Sequence, residues 1–309
     1  MNAPESPKVA AARTQGHGSR GGFGLGLAAY ALWGVLPIYF KALSDVGSID
    51  IVAHRVLWSL PFLALLIAAR RGWDRVRAAA QSPRTMGVLT VTALLIGGNW
   101  LLYVYAVTSG HILAASFGYY LNPLANVLLG RFVLREKLTR MQWAAVAIAA
   151  AGISVLAAGS LDQLWLSLSL CVTFALYGLL RKIVAADAIT GLGIETTILF
   201  PFAVAWLAWR YAQGQPVMGT SDAQAGLLLL AGVVSTTPLL LFTAAAKRLQ
   251  YSTLGMLQFL APTLQFLIAL LYGEHVRLAH VIAFPAIWIA LALYVTALVR
   301  APRLPQAPE

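Results

Sequence analysis

The sequence predicts an all-α integral membrane protein with ten transmembrane helices in two inverted five-helix repeats. Three observations predict it: composition, the spacing of apolar runs, and a repeat at about half the chain length. Of 309 residues 60% are hydrophobic and 11% charged, with a mean hydropathy of +0.76. Soluble domains run at about 45–50% apolar and about 25% charged, so this chain lacks the charge for a soluble surface. Disordered chains are poor in apolar residues and are excluded by the same figures. With 26 Gly, 14 Pro and one cysteine, Cys171, collagen-like and disulfide-scaffold readings fail as well.

Crossing a hydrocarbon core of roughly 30 Å takes about 20 mostly apolar residues. Ten such windows lie near 23–43, 49–69, 86–107, 112–134, 141–158, 163–180, 191–209, 225–245, 253–272 and 279–299. Runs such as 144–158 and 227–234 are continuous rather than alternating, which excludes a β-barrel. Residues 1–22 are polar and basic and are expected to form a disordered cytoplasmic tail; 300–309 is Pro-rich and expected to be a second loose cytoplasmic tail. Span 1 is too long for a signal peptide, and no small-x-small cleavage site follows it.

The net charge of +11 then becomes an orientation signal. With the N-terminus inside and ten alternating spans, 18 of the 22 Lys and Arg residues fall on inner segments, which by the positive-inside rule puts both termini in the cytoplasm. The arginines at 70–84 are placed to meet anionic headgroups. No basic face on a soluble fold exists for nucleic acid.

The repeat is read from three pairs. Tyr30-Ala31-Leu32-Trp33-Gly34 recurs as Phe174-Ala175-Leu176-Tyr177-Gly178. Leu60-Pro61-Phe62 recurs as Phe200-Pro201-Phe202, and Asn122-Pro123 as Ala261-Pro262. The last pair is followed by Arg135-Glu136-Lys137 and by Gly273-Glu274-His275. The halves are 23–158 (helices 1–5) and 163–299 (helices 6–10). Five is odd, so the second half enters from the opposite side, an arrangement common in secondary transporters.

The runs Ala53–Ser59, Asn99–Tyr103, Ser116–Leu124, Leu134–Thr139 and Gln142-Trp143 resemble the RarD branch of the EamA family, within the drug/metabolite transporter superfamily. The resemblance covers nearly the whole chain and is weaker in its second half. It implies two EamA repeats and a bacterial inner-membrane permease or exporter of a small metabolite or drug; the branch name carries an association with chloramphenicol sensitivity.

Polar side chains are expensive in lipid and should gather on inward stripes. Ser116, Tyr119, Asn122 and Asn126 share one face of span 4. An offset of 139 sets Gln258 over Tyr119 and Gln265 over Asn126 in span 9. Trp33, Asn99, Tyr103 and Tyr177 add aromatic and amide groups suited to a planar amphipathic cargo. The expected substrate-binding set is therefore Trp33, Asn99, Tyr103, Tyr119, Asn122, Tyr177, Gln258 and Gln265. Amides at mid-span also serve as helix–helix glue, and that reading stays open.

Pro123 and Pro262 free backbone carbonyls near mid-span and are expected to bend or gate their helices. Arg55 and Glu195, equivalents at an offset of 140, are the ionisable residues within spans. They are expected at opposite depths, too far apart for an ion pair, with Arg55 drawing an anionic cargo group or locking a gate and Glu195 carrying a coupling proton. Snorkelling to the nearer surface is the alternative for both.

Thr139-x-x-Gln142 reads as a capping box opening span 5. No phosphate loop, metal cluster, cofactor motif or convergent nucleophile set is present, so no enzyme, metal or cofactor is expected. A membrane-embedded enzyme or lipid-processing protein is the competing class. It requires an ionisable cluster at one interface.

Overall fold

Apolar runs become helices in a bilayer because every backbone N–H and C=O must be satisfied within the segment. The computed structural model describes residues 7–109, 112–157, 164–272 and 278–300, and these form twelve helices and no strand. In chain order they are α1 (Pro7–Lys41), α2 (Ser48–Ala69), α3 (Trp73–Gln81), α4 (Pro83–Thr108), α5 (Ile112–Phe132) and α6 (Arg140–Ala157). The remainder are α7 (Leu164–Ile183), α8 (Ala188–Ala212), α9 (Asp222–Ala246), α10 (Tyr251–Leu257), α11 (Leu260–Leu271) and α12 (Leu278–Arg300). Among the described residues, seven helices are long and apolar enough to cross a membrane. The chain is a multi-pass membrane protein. Glu274, His275, Asp162, Arg277 and the 301–309 tail lie outside the described residues, as does the side chain of Ser116.

Three elements differ from the sequence expectation. α1 begins at Pro7, inside the segment expected to be a loose tail, and its apolar window starts at Gly21. Proline suits a first helical turn, and Ala10–Arg13 is a run of strong helix formers. α3 occupies the arginine cluster where only a connection was expected; Gly72 precedes it and Asp74 lies in its first turn. Span 9 is not one helix but two, broken at Gln258–Phe259. Pro262 has no N–H for the Gln258 carbonyl. Ala261 N takes that carbonyl at 3.1 Å instead, while Gln258 N and Phe259 N reach three residues back, to Gly255 O at 3.0 Å and Met256 O at 3.3 Å. Pro123, Pro61 and Pro201 sit inside continuous helices, so of Pro123 and Pro262 only the second lies beside a break in its helix.

The start of α6 is as expected: Thr139 N donates to Gln142 Oε1 at 2.8 Å and Gln142 N to Thr139 Oγ1 at 3.2 Å. α6 packs on α12, α5 on α10, and α2 on α8 and α9. α1 packs on α9 and α11, while α7 packs on α4 and α5. At the α2–α9 crossing a Cβ on Gly232 would strike the backbone of Trp58 and Ser59; one on Gly255 would lie 2.8 Å from Pro123 O. These glycines set how closely the helices approach.

The loops and helix ends near 70–84, 131–140, 181–188 and 246–251 are joined on one face by Arg75–Asp187, Lys247 Nζ–Val184 O and Tyr251 N–Glu136 Oε1 contacts, and they carry 13 of the 22 Lys and Arg. There Arg135, at φ 56°, turns the chain so that Glu136 reaches α10. Its carboxylate accepts from Tyr251 N at 2.5 Å, Ser252 N at 2.9 Å and Ser252 Oγ at 2.6 Å. These are charge-assisted bonds, two of them from amides that begin a helix and have no partner within it. At the opposite face Asp50, in the first turn of α2, accepts from Arg210 Nη2 and Trp206 Nε1, both at 2.8 Å.

Candidate functional site

α2 and α8 pack on each other, and seven positions from its first residue each carries an ionisable side chain: Arg55 from Ser48, Glu195 from Ala188. At about 1.5 Å per residue each lies about 10 Å along its helix. Both line one narrow cavity of about 20 Å³, room for about one water. Its walls come from α2, α4, α8 and α9, with Ser59, Trp100, Thr196, Ser235 and Thr236 among the residues. The walls thus draw on spans 2, 3, 7 and 8, where α2 and α8 meet and Arg55 and Glu195 both face the cavity.

Glu195 is 1% exposed and fully engaged. Thr92 Oγ1 donates to Oε1 at 2.5 Å and Tyr177 OH to Oε2 at 3.4 Å. Arg181, 0% exposed, pairs with it at 3.5 Å from Nε to Oε1. Arg181 Nη2 also donates to the carbonyls of Asp187 at 3.4 Å and Ala188 at 3.2 Å. This guanidinium fits only because residue 191 is glycine; a Cβ there would overlap Nη1. Asp187 caps α8, accepting from Ile189 N and Thr190 N at 3.0 Å each. Burial alone would raise the Asp187 carboxyl, but hydrogen bonds from Thr190 and Ile189 and the nearby Arg75 hold it below the usual carboxylate value.

Arg55 is placed differently. Its guanidinium lies over the Trp100 ring at 4.4 Å, and the phenols of Tyr39, Tyr103 and Tyr119 stand within electrostatic range. Among the described residues its buried Nε has no partner, and no carboxylate lies within 4 Å of it. Ser59, one turn on, bridges α2 to α9 through Thr236 Oγ1 at 2.5 Å.

The aromatic and amide residues singled out from sequence fall into three groups. Asn99, Tyr103 and Tyr119 come together beside Arg55. Tyr119 OH donates to Asn99 Oδ1 at 3.3 Å, and the Tyr103 and Tyr119 rings are 5.8 Å apart. Asn99 Nδ2 donates to Thr173 Oγ1 at 2.8 Å and Leu170 O at 2.9 Å, tying α4 to α7. Trp33 and Tyr177 belong to an aromatic cluster with Tyr30, Phe174 and Phe242, centroids 5.4–6.5 Å apart. Tyr177 joins that cluster to Glu195.

The remaining three lie away from this cavity. Gln258 Oε1 accepts from Asn126 Nδ2 at 3.0 Å across the α5–α10 crossing. Gln265 Nε2 donates to Trp33 O at 3.1 Å, the carbonyl that Pro37 leaves without its helical donor. These two amides bind helices together here. Asn122 is fully buried, and neither of its amide atoms has a partner among the described residues.

Arg181 is not evident from sequence as a partner of Glu195. The residue pattern sets Tyr177 and Arg181 on one face of span 6, yet Arg181 also reads as a loop charge beside Lys182. His54 is buried with both ring nitrogens engaged, Nε2 with Val217 O at 2.6 Å and Nδ1 accepting from Trp58 Nε1 at 3.1 Å. Among the described residues no group of three or more His, Cys, Asp or Glu side chains could hold a metal ion.

Comparison with known proteins gives concordant results. Residues 20–158 match the family model described as the EamA-like transporter family. An uncharacterized transporter of Vibrio cholerae is 46% identical over 274 residues, 87% of this chain and 90% of that protein. Protein RarD of Escherichia coli K12 is 44% identical over 286 residues, 90% and 94% of the two chains. The chain of one crystal structure superposes with a TM-score of 0.72 over 93% of this protein and 100% of its own length, at 19% identity. That last likeness concerns the fold alone.

Proposed function

Because the chain belongs to the EamA-like transporter family, and is by that membership a membrane transporter, we propose that it moves a small organic metabolite or drug by alternating access of two inverted repeats, 23–158 and 163–299. The exchange of packing partners between halves supports the repeat: α1 on α9 and α11 mirrors α7 on α4 and α5. The basic face is assigned to the cytoplasm by the positive-inside rule, with both termini on that side of the bacterial inner membrane. Export is the direction the resemblance favours.

One observation carries the mechanism. A buried carboxylate, Glu195, lines a cavity shared with Arg55 while held by Arg181, Tyr177 and Thr92 from two other helices. Protonating Glu195 removes its attraction to Arg181 and loosens α8 from α7; deprotonation restores it. That is a two-state element biased by a proton, as coupled transport requires. Cargo contacts come from Asn99, Tyr103 and Tyr119, with Trp33 and Tyr177 closing the far side. Asn122 offers an unmet amide once the helices move, Gln258 and Gln265 become free to meet cargo only if their helix contacts part, and Pro123 and Pro262 serve as bending points.

The test uses proteoliposomes containing a pH-sensitive dye and a panel of small organic acids, amines and amides. The wild-type protein should show cargo-dependent proton movement, and Glu195→Gln should abolish it while remaining folded. Proton-coupled flux retained in Glu195→Gln would remove Glu195 from this role.

A further inference from the structure

The structure assigns to Arg55 a ligand of definite chemistry: we propose that the Arg55 end of the cavity binds the carboxylate of a singly charged aromatic or planar organic acid. The inference rests on the transporter reading above and names its cargo class.

The first step is charge. Arg55 and Glu195 line this cavity, and Arg181 pairs with Glu195 from behind its wall. Arg181 and Glu195 neutralise each other, and the Arg55 charge is left over. A cation without a counter-charge is costly in a membrane interior. A monoanion balances it, a cation adds to it, and a dianion overshoots.

The second step is geometry. Arg55 lines the cavity, and its Nε is buried with no partner among the described residues, so at least this N–H of the guanidinium is left to donate. Guanidinium and carboxylate are matched planar forks and bind through paired, charge-assisted hydrogen bonds. Trp100 supports the guanidinium from below at 4.4 Å and keeps it oriented without consuming its hydrogen bonds.

The third step is the body of the ligand. Tyr103 and Tyr119 stand side by side at 5.8 Å, and Tyr103 is 39% exposed. A flat ring can lie along this pair while its carboxylate turns inward to Arg55. The cavity as it stands holds about one water, so the ring occupies the tyrosine side and full entry accompanies opening of the helices.

The experiment takes the purified full chain in lipid nanodiscs and three probe series of equal ring size: benzoate, phenylacetate and 3-phenylpropionate; the corresponding primary amides; and phenyl phosphate. Thermal stabilisation and equilibrium binding are read for the wild type, Arg55→Gln and Arg55→Lys. Carboxylates should stabilise the wild type and bind about 10- to 100-fold more tightly than their amides, the range expected for a charge-assisted pair. Arg55→Gln should lose that preference while keeping its unliganded melting temperature within a few degrees, and Arg55→Lys should recover part of it. Equal binding of acids and amides, tighter binding of phenyl phosphate, no binding of any carboxylate, or an undiminished preference in Arg55→Gln would each overturn the assignment. Flux of the same compounds in proteoliposomes separates the two readings. Movement of amides or amines but not acids leaves the transporter standing and removes the acid site. A protein that moves no member of the wider panel overturns the transporter reading itself.

Discussion

Arg55 and Glu195 align at an offset of 140 and lie at the same distance along α2 and α8, yet their surroundings are opposite. Glu195 is enclosed by an ion pair and two hydroxyl donors. Arg55 has an aromatic face beneath it and, among the described residues, no acid within reach. The proposed repeat accounts for how this arises. The motif alignment that sets Trp33 against Tyr177 sets Pro37 against Arg181, so the partner that closes the Glu195 end has no charged counterpart at the other. Residue 191, the glycine that admits the Arg181 guanidinium, aligns with Ile51, which packs with Leu43 and Leu228. On the proposed repeat, one end is locked and the other leaves a free cation. A symmetric pore has no need of this difference; the proton-coupled transporter proposed above does.

The largest effect that tests this comparison comes from removing each arginine in turn. Arg181→Ala leaves Glu195 buried without its counter-ion and should destabilise the protein by about 3–5 kcal/mol, the cost of breaking a buried pair from one side. Arg55→Ala breaks no pair and should cost much less, chiefly the contact with Trp100. Denaturation midpoints of the two variants, in the same detergent, check the ordering. Equal losses would mean that Arg55 has a protein partner and that the two ends are alike.

A smaller contrast follows from the hydroxyls. Thr92→Val removes a donor to a buried carboxylate at 2.5 Å and should cost about 1.5–3 kcal/mol, as bonds to charged groups do. Ser59→Ala removes a neutral hydroxyl pair with Thr236 and should cost about 1 kcal/mol. Reversal of that order, read from the same denaturation curves, would show that the α2–α9 bridge rather than the Glu195 cluster holds this region together.

Much of this architecture is legible in the amino-acid sequence, because hydropathy windows report the solvent directly. The capping box at Thr139 is legible too, being local. What the sequence hides is long-range or subtle in composition. α3 is nine residues long, and its arginines read as topology signals rather than as a helix. The break in span 9 falls one turn before Pro262, at the carbonyl the proline cannot serve, whereas the residue pattern points to the proline itself. Arg181 looks like half of an ordinary Arg-Lys helix end; its burial depends on Gly191, from the next helix. The amides show the limit of repeat symmetry. Tyr119 aligns with Gln258 and Asn126 with Gln265, but the pair that meets is Asn126 with Gln258. At a crossing of equivalent helices the touching residues need not be equivalents. The grouping of Asn99, Tyr103 and Tyr119 follows from their aromatic and amide character; their convergence on Arg55 does not, because it depends on α2 facing α4 and α8.

The smallest expected effect concerns the excess positive charge around the locked end. Lys247, beyond the end of α9, donates to Val184 O at 2.7 Å. Burial lowers its pKa to about 8, helped by the nearby Arg181 and Lys182 and opposed by Asp187. An unfolded lysine titrates near 10.4. Between about pH 8 and 10.4 the unfolded chain therefore holds a proton that the folded chain has released, and stability contributed through Lys247 rises with pH across that window. Lys247→Met should remove this slope. Midpoints of wild type and Lys247→Met at about pH 7.5 and about pH 10, the two ends of that window, isolate the contribution, since other groups titrate equally in both. The wild type should gain on the variant as pH rises. A wild type that loses ground instead would mean that the ammonium is stabilised by its carbonyl contact, and that the locked end sits in a field less positive than its neighbours Arg181 and Lys182 imply.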